Sequence, residues 1–155
     1  WRNMPDMKFR DATQDDLAAI VGLLADDTLG ANREIAPPPV AECYVAAFRA
    51  IDADPNNRVI VAEDAEGVAG CLQLTLIPNL SHQGAWRAQI EAVRVAGRLR
   101  GQGVGRALFD HAIAEARQAG CAMVQLTTDR TRPEAFSFYE QIGFTHSHAG
   151  MKMRL

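Results

Sequence analysis

Hydrophobic positions along the chain follow two different periods, and the changes between them mark the predicted elements. Apolar residues three and four positions apart predict helices, and apolar runs bounded by turn residues predict strands. Helices are predicted over residues 13–25, 40–52, 103–119 and 132–143. Strands are predicted over residues 7–10, 58–63, 68–77, 86–95 and 121–127, and residues 144–155 are expected to form a closing hairpin around Ala149-Gly150.

The order of these elements predicts a single α/β (α+β) domain over residues 4–155. Residues 86–127 read as strand, helix and strand, which implies a right-handed crossover between parallel neighbours, whereas the turn at 65–67 implies an antiparallel hairpin. The expected architecture is a mixed, mostly antiparallel sheet of about 6–7 strands flanked by about four helices. Residues 1–3 lack the apolar core of a signal peptide and are interpreted as a remnant outside the domain.

Composition and charge exclude several classes of function. The net charge of −3 argues against a general nucleic-acid binder, because such binding needs a strongly cationic surface. No apolar run of about 18 residues is present, so a membrane span is not expected. Cys43, Cys71 and Cys121 lie in apolar contexts without metal-ligand spacing, and they are expected to be buried thiols in a cytoplasmic protein that holds no metal.

The strongest candidate for a ligand-binding site is the turn from Arg98 to Arg106. It lies between a predicted strand and a long amphipathic helix. Its glycines at 101, 103 and 105 leave backbone N–H groups and the positive end of the helix open to an anion. The dinucleotide fingerprint fails, since Arg106 stands where its third glycine should be, and the P-loop fails for lack of Lys followed by Ser or Thr. The alternative is an ordinary tight turn with solvated arginines.

Two blocks of this sequence resemble the GNAT superfamily of N-acetyltransferases. Arg100-x-x-Gly103-x-Gly105 matches the family signature (Gln/Arg)-x-x-Gly-x-(Gly/Ala), and Gln89–Val95 before it is similar to the central strand of the family. The stretch Arg132–Phe144 resembles the family block Ala-x-x-Phe-Tyr-x-x-x-Gly-Phe. The two blocks occur in the order and at the separation found in the family, and the resemblance covers nearly the whole chain.

The resemblance implies acetyl-CoA as the acetyl donor. It implies that the strands at 86–95 and 121–127 splay apart, so that the pantetheine arm can pair with the backbone around Val93 and Val95, and that an N–H near Val93 polarises the thioester carbonyl. Arg132 departs from the asparagine of many relatives and is a candidate either for the cofactor or for capping the last helix. The predicted acetyl-CoA-binding residues are Val93, Arg94, Val95, Arg100, Gly101, Gln102, Gly103, Val104, Gly105, Arg106, Arg132 and Phe138.

Two residues are predicted to transfer protons. Tyr139 matches the family tyrosine near the coenzyme A sulfur and would protonate the departing thiolate; the alternative is an aromatic core residue. Glu91 matches a position where many relatives carry the base that takes the amine proton. Strict strand alternation places Glu91 beside Val93 and Val95, where apolar surroundings would raise its pKa; the alternative is a charge facing solvent.

The predicted function is transfer of an acetyl group to a primary amine of a small molecule, by direct attack in a ternary complex. The acceptor pocket is expected between residues 26–44, the loop 78–86 and residues 146–151. A free amino acid, a polyamine, an aminoglycoside-like compound and a protein N-terminus are all compatible with these residues. The alternatives are a non-catalytic acyl-CoA-sensing module and a protein N-acetyltransferase. No nucleic-acid or membrane partner is expected, and a homodimer is left open.

Overall fold

Five strands form one sheet in chain order in the computed structural model, which describes Met4 and residues 6–155. Neighbours from β1 to β4 pair antiparallel, and β4 pairs with β5 in parallel. The strands are β1 (Lys8–Asp11), β2 (Asn57–Asp64), β3 (Gly67–Ile77), β4 (Arg87–Val95) and β5 (Met123–Gln125). The mixed, mostly antiparallel sheet is therefore confirmed, and the interpretation of residues 1–3 concerns residues outside the described part.

Helices lie on both faces of the sheet. They are α1 (Leu17–Ala25), α2 (Glu42–Asp52), α3 (Ser81–Gly84), α4 (Val104–Gln118) and α5 (Pro133–Gln141). Four of them correspond to the predicted helices. The fifth, α3, is a four-residue turn inside the predicted loop, with left-handed φ angles of 53° at His82 and 60° at Gln83.

Two clusters of buried side chains define the two faces. The larger cluster packs α4 against the sheet, with Leu108 and Phe109 fully buried over Leu72 and Ile90; we call this side the α4 face. On the opposite side, the α1 face, Ile20 of α1 packs with sheet residues that include Cys71. Apolar positions on both sides of the central strands explain why β2 and β3 read as continuous hydrophobic runs.

A β-bulge in β4 changes which side chains reach which face. Gln73 of β3 lies opposite Glu91 of β4, and the next pair along the strands joins Cys71 to Arg94. Two residues of β4 thus stand against one of β3, and Ala92 takes a left-handed φ of 54°. Beyond the bulge the alternation restarts with its phase reversed.

The strand pairing at the β5 edge stops early. β5 pairs with β4 only as far as Gln89 and Gln125, so the second half of β4 has no partner on that side among the described residues, as the predicted splay requires. The strand predicted over residues 121–127 is correspondingly shorter. The predicted count of 6–7 strands is wrong because residues 144–155 form no hairpin.

The exposure of the C-terminal methionines agrees with the absence of that hairpin. Met151 and Met153 are almost completely exposed. Their side chains, which would hold such a hairpin against the sheet, are therefore covered by no apolar surface of the described chain. The prediction rested on the turn residues Ala149-Gly150 alone, and a turn without a packing surface does not stabilise a two-stranded ribbon.

The cysteines are buried to different degrees. Cys71 is buried on the α1 face, where loss of solvent raises the pKa of its thiol to about 12, and Cys121 is partly exposed. Cys43 is exposed, so its prediction as a buried thiol is wrong: it lies five residues from buried Phe48 on α2 and hence on the other side of that helix. No helix among the described residues is long and apolar enough to cross a membrane.

Candidate acetyl-transfer site

The glycine turn leads directly into α4. Gly101 and Gly103 have positive φ angles of 75° and 87°, and a Cβ atom added at either position would meet nothing within 4 Å. Their role is thus to allow the left-handed backbone and to leave the surface in front of the helix bare. Gly105 is more enclosed, since its Cβ would lie 3.6 Å from Val95 and 3.8 Å from Phe138.

The turn presents a row of unpaired backbone donors. Among the described residues, no backbone acceptor pairs with the N–H groups of 101, 103, 104, 105 and 106. The first N–H groups of a helix have no partner within it, and they carry the positive end of the helix dipole. The arrangement fits an anion such as a pyrophosphate.

The arginines of the turn already have acidic partners. Arg98 donates to both carboxylate oxygens of Asp64 at 2.6 and 2.8 Å, so its charge is paired with a carboxylate of the β2–β3 hairpin. Arg100 contacts Asp26 at 3.2 Å and also donates to the Val95 carbonyl at 3.3 Å. The backbone donors are therefore the main feature of the turn that faces an incoming anion.

Next to the turn lies the unpaired part of β4. Ala92 and Val93 have no partner residue in β3, because the bulge lies there, and β5 has ended. Val93 and Val95 are half-buried and pack with the large cluster on the α4 face. An extended ligand can therefore reach a strand edge lined by apolar side chains.

Tyr139 of α5 lies at the rim of the same cluster. Its ring contacts Phe109 and Phe144 edge to face, with centroid distances of 5.7 and 6.1 Å. Burial raises the pKa of Tyr139, while the positive charges of Arg132 and Arg94 offset part of the rise. The phenol is therefore protonated at neutral pH, as a proton donor must be.

Glu91 is not where strict alternation placed it. The bulge at Ala92 sends Val93 and Val95 to the α4 face, whereas Glu91 shares the α1 face with Gln73. Its side chain is exposed, so the expectation of apolar surroundings is wrong. Glu91 nevertheless stands immediately before the point where β4 loses both neighbours, on the side opposite the apolar edge.

A half-buried ion cluster, which the sequence did not predict, connects this region to α1 and α5. Asp27, just after α1, receives a hydrogen bond from Arg132 at 2.8 Å, and its Oδ2 lies 3.1 Å from Nε of Arg94. Burial alone would raise the pKa of Asp27, but the bond from Arg132, the N–H of Gly30 and the charge of Arg94 lower it to about 2. Arg94 and Arg132, both predicted to bind acetyl-CoA, are thus held by one carboxylate.

The loop between α1 and α2 is anchored by further polar contacts. The hydroxyl of Tyr44 donates to Glu34 at 2.9 Å and accepts the N–H of Ile35 at 2.8 Å. A Cβ at Gly30 would collide with the carbonyl oxygen of Leu24, so only glycine fits this turn. Next to this loop, α1, α2 and the sheet line a mainly apolar cleft of about 170 Å³ that reaches Gln73 and Ala92.

The fold and these contacts define an acyltransferase: a splayed strand pair beside a helix N-terminus rich in free N–H groups, with a protonated tyrosine at its rim. The acetyltransferase (GNAT) family profile matches residues 25–144, and the chain belongs to this family.

Known proteins resemble the chain over most of its length. It is 30% identical over 145 residues to the aminoalkylphosphonate N-acetyltransferase of Salmonella typhimurium, covering 94% of this chain and 89% of that one. It is 30% identical to the streptothricin acetyltransferase of Streptomyces lavendulae, covering 88% and 80%. A solved structure from Bacillus halodurans C-125, described as a transcriptional regulator, is 48% identical with a TM-score of 0.94, covering 97% and 100%.

Proposed function

We propose that this protein transfers the acetyl group of acetyl-CoA to a primary amine of a small molecule, by direct attack within a ternary complex. The observation that carries the proposal is the grouping of three features around one apolar cluster: the unpaired edge of β4 at Val93, the free N–H groups of residues 101 and 103–106, and the half-buried Tyr139. When bound, acetyl-CoA supplies an acetyl thioester that an amine can attack.

The residues of the turn would hold the donor. The free N–H groups of residues 101 and 103–106 suit its pyrophosphate, and Val93 with Val95 offers backbone and apolar surface to its extended arm. Gln102 and Val104 take part through their positions in the turn, and Phe138 through its approach to Gly105. The N–H of Val93 is the candidate donor to the carbonyl oxygen that gains charge during attack.

Glu91 and Tyr139 would divide the proton transfers. Exposed Glu91 can accept a proton from the ammonium group of the acceptor, directly or through water, which leaves a neutral nucleophile. Tyr139, protonated at neutral pH, can give its proton to the departing thiolate. The second proton that the nitrogen loses as the amide forms then restores the phenol through solvent. Glu91 lies on the α1 face of the sheet and Tyr139 packs on the α4 face, so the acceptor approaches from the α1 face.

The test is an acceptor panel with acetyl-CoA in which release of free thiol is followed, combined with calorimetry of acetyl-CoA binding. The panel contains amino acids, polyamines, aminoalkylphosphonates and streptothricin-like amines, the last two because the names of two relatives that are 30% identical specify such compounds. Binding with turnover on at least one small amine supports the proposal. Absence of acetyl-CoA binding contradicts it.

A second candidate function is an acyl-CoA-responsive module without turnover. It is favoured by the relative of 48% identity that is described as a transcriptional regulator. Such a module would bind acetyl-CoA in the calorimeter but acetylate no acceptor in the panel. Tyr139→Phe then distinguishes the two functions, since it slows turnover in an enzyme and changes nothing measurable in a sensor.

A further inference from the structure

The α1 face of β3, β4 and β5 carries a stripe of polar side chains beyond the cover of α1 and α2. The paired rows of the sheet place Gln73 opposite Glu91, Thr75 opposite Gln89, and Gln89 beside Gln125. Toward the helices the same face becomes apolar: Val59 of β2 lies opposite Gln73, and the next row pairs Val61 with Cys71. The change from apolar to polar residues occurs at Glu91, where the proposed reaction takes place.

Most of the stripe is satisfied internally. Gln125 donates to Gln89 at 2.6 Å, and the hydroxyl of Thr75 donates to Asn57 at 2.7 Å. These contacts hold the side chains in place as a floor of amide and hydroxyl groups. Exposed Glu91 has no such contact among the described residues, and neither does Arg87, which lies at the start of β4 on the same face.

Arg87 differs from every other arginine that the structure describes. Nine arginines contact a carboxylate within 4.0 Å; the four without such a partner are Arg87, Arg117, Arg130 and Arg154. The last three are exposed, whereas Arg87 is half-buried and its Nε is buried without a hydrogen-bond partner. Its neighbours across the ladders are Ile77 and Met123, which offer no acceptor.

A buried guanidinium N–H without an acceptor is unfavourable, because the donor at Nε has lost its hydrogen bond to water and gained none in exchange. Guanidinium groups are well matched to phosphonate, phosphate and carboxylate groups, which accept two parallel hydrogen bonds. The Cα atoms of Arg87 and Glu91 are about 13 Å apart at the usual strand spacing. Because the two side chains span part of this distance, the remaining space suits a small molecule whose two charged groups are a few bonds apart.

We propose that Arg87 binds an anionic group of the acceptor while the amine of the acceptor lies at Glu91, so that the substrate class is a short amine carrying a phosphonate, phosphate or carboxylate. This inference rests on the proposed function, whose acceptor it makes specific. The polar floor between the two charges fits such a molecule, and the apolar cleft between α1 and α2, which Gln73 lines, does not extend to Gln89 or Arg87.

The test compares two acceptors of similar length, 3-aminopropylphosphonate and butylamine, in acetyl-CoA turnover. The intact protein should favour the phosphonate in kcat/KM by at least about 10-fold. Arg87→Gln should raise KM for the phosphonate about 10- to 100-fold, the range of a charge-assisted hydrogen bond, with kcat and all butylamine constants little changed. Arg87→Lys should keep part of the preference, and Arg117→Gln, an unpaired exposed arginine, should keep all of it.

Two results would overturn the inference: equal use of both amines by the intact protein, or an equal loss for both amines in Arg87→Gln with an unchanged melting temperature. If neither amine is acetylated, calorimetry of 3-aminopropylphosphonate binding decides the matter separately from turnover. Binding that Arg87→Gln abolishes supports the anion site even though the proposed function has failed for these amines, and absence of binding to the intact protein refutes the site.

Discussion

The two sides of β4 are built in different ways. On the α4 face, the features assigned to the acetyl donor come from one continuous stretch, residues 93–106, with α5 as an outer wall. On the α1 face, the features assigned to the acceptor come from separate strands and from the loop after α1, which meet only in the folded chain. A continuous stretch can bind the part of a reaction that a family shares, while scattered residues can vary with the acceptor.

The bulge at Ala92 separates the two sides. Without it, the side chain of Arg94 would be directed to the α4 face and those of Val93 and Val95 to the acceptor side. With it, apolar side chains line the donor edge, while Arg94 reaches Asp27 and Glu91 stands at the acceptor side. A single extra residue in one strand thus places apolar side chains on the donor side of β4 and polar side chains on the acceptor side.

The largest effect is expected for Tyr139→Phe. Loss of the phenol proton should lower kcat by about 100-fold, the lower end of general acid catalysis, with little change in acetyl-CoA affinity. The ring packs edge to face on Phe109 at 5.7 Å, and phenylalanine preserves that contact, so the melting temperature should hardly move. Steady-state kinetics with calorimetry measures both, and an unchanged kcat would leave Tyr139 as a core aromatic only.

Gly103→Asp should weaken acetyl-CoA binding about 50-fold, since it would place a negative charge at the helix N-terminus that is proposed to bind the pyrophosphate. Gly103→Asn has nearly the same shape without the charge and should bind much more tightly than the aspartate variant. Gly120→Asp at the other end of α4, equally open and with a φ of 82°, is the control for backbone strain. If calorimetry gave equal acetyl-CoA affinities for Gly103→Asp and Gly103→Asn, the proposed anion site in the turn would be contradicted.

Asp27→Asn tests the contact that joins the two sides. The pKa of Asp27 is about 2, below its ordinary value, so its ionised form stabilises the fold above about pH 4 and this contribution is lost as pH falls toward 2. At pH 6 the variant should lose up to about 2 kcal/mol of unfolding free energy. The difference from the intact protein should shrink by pH 3, as measured by urea denaturation.

Exposed Asp52, which has no ion pair among the described residues, supplies the matched control for that experiment. Asp52→Asn should change the unfolding free energy little at either pH, because exposed surface charges contribute little. A difference for Asp27→Asn that stays constant from pH 6 to pH 3 would mean that its charge does not act as described.

The smallest effect is expected for Glu91→Gln. Because an exposed carboxylate can be replaced in part by water, kcat should fall about 10-fold, with acetyl-CoA affinity unchanged. Raising the pH should restore part of the loss, since more of the acceptor amine is then already neutral. A variant with full activity at every pH would show that the proton leaves by another route.

Much of the fold could be predicted from the sequence. The spacing of apolar residues located α1, α2, α4 and α5 nearly to their observed ends, because each buries a helical stripe. The closing hairpin failed because turn residues say nothing about whether a packing surface exists. For the candidate site, the glycine turn and Tyr139 were found through local motifs, whereas Asp27 and Arg87 carry no motif.

What the sequence by itself determined is the local chemistry of the donor side: three glycines at the start of an amphipathic helix produce a bare, N–H-rich turn wherever the helix packs. What only the tertiary structure decided is the acceptor side. An alanine with a left-handed φ is invisible in a sequence, yet it sets the side of the sheet to which Glu91 and Arg94 belong. Whether a charged residue finds a partner depends on strands far apart in the chain, so only the folded sheet reveals that Arg87 has none among the described residues.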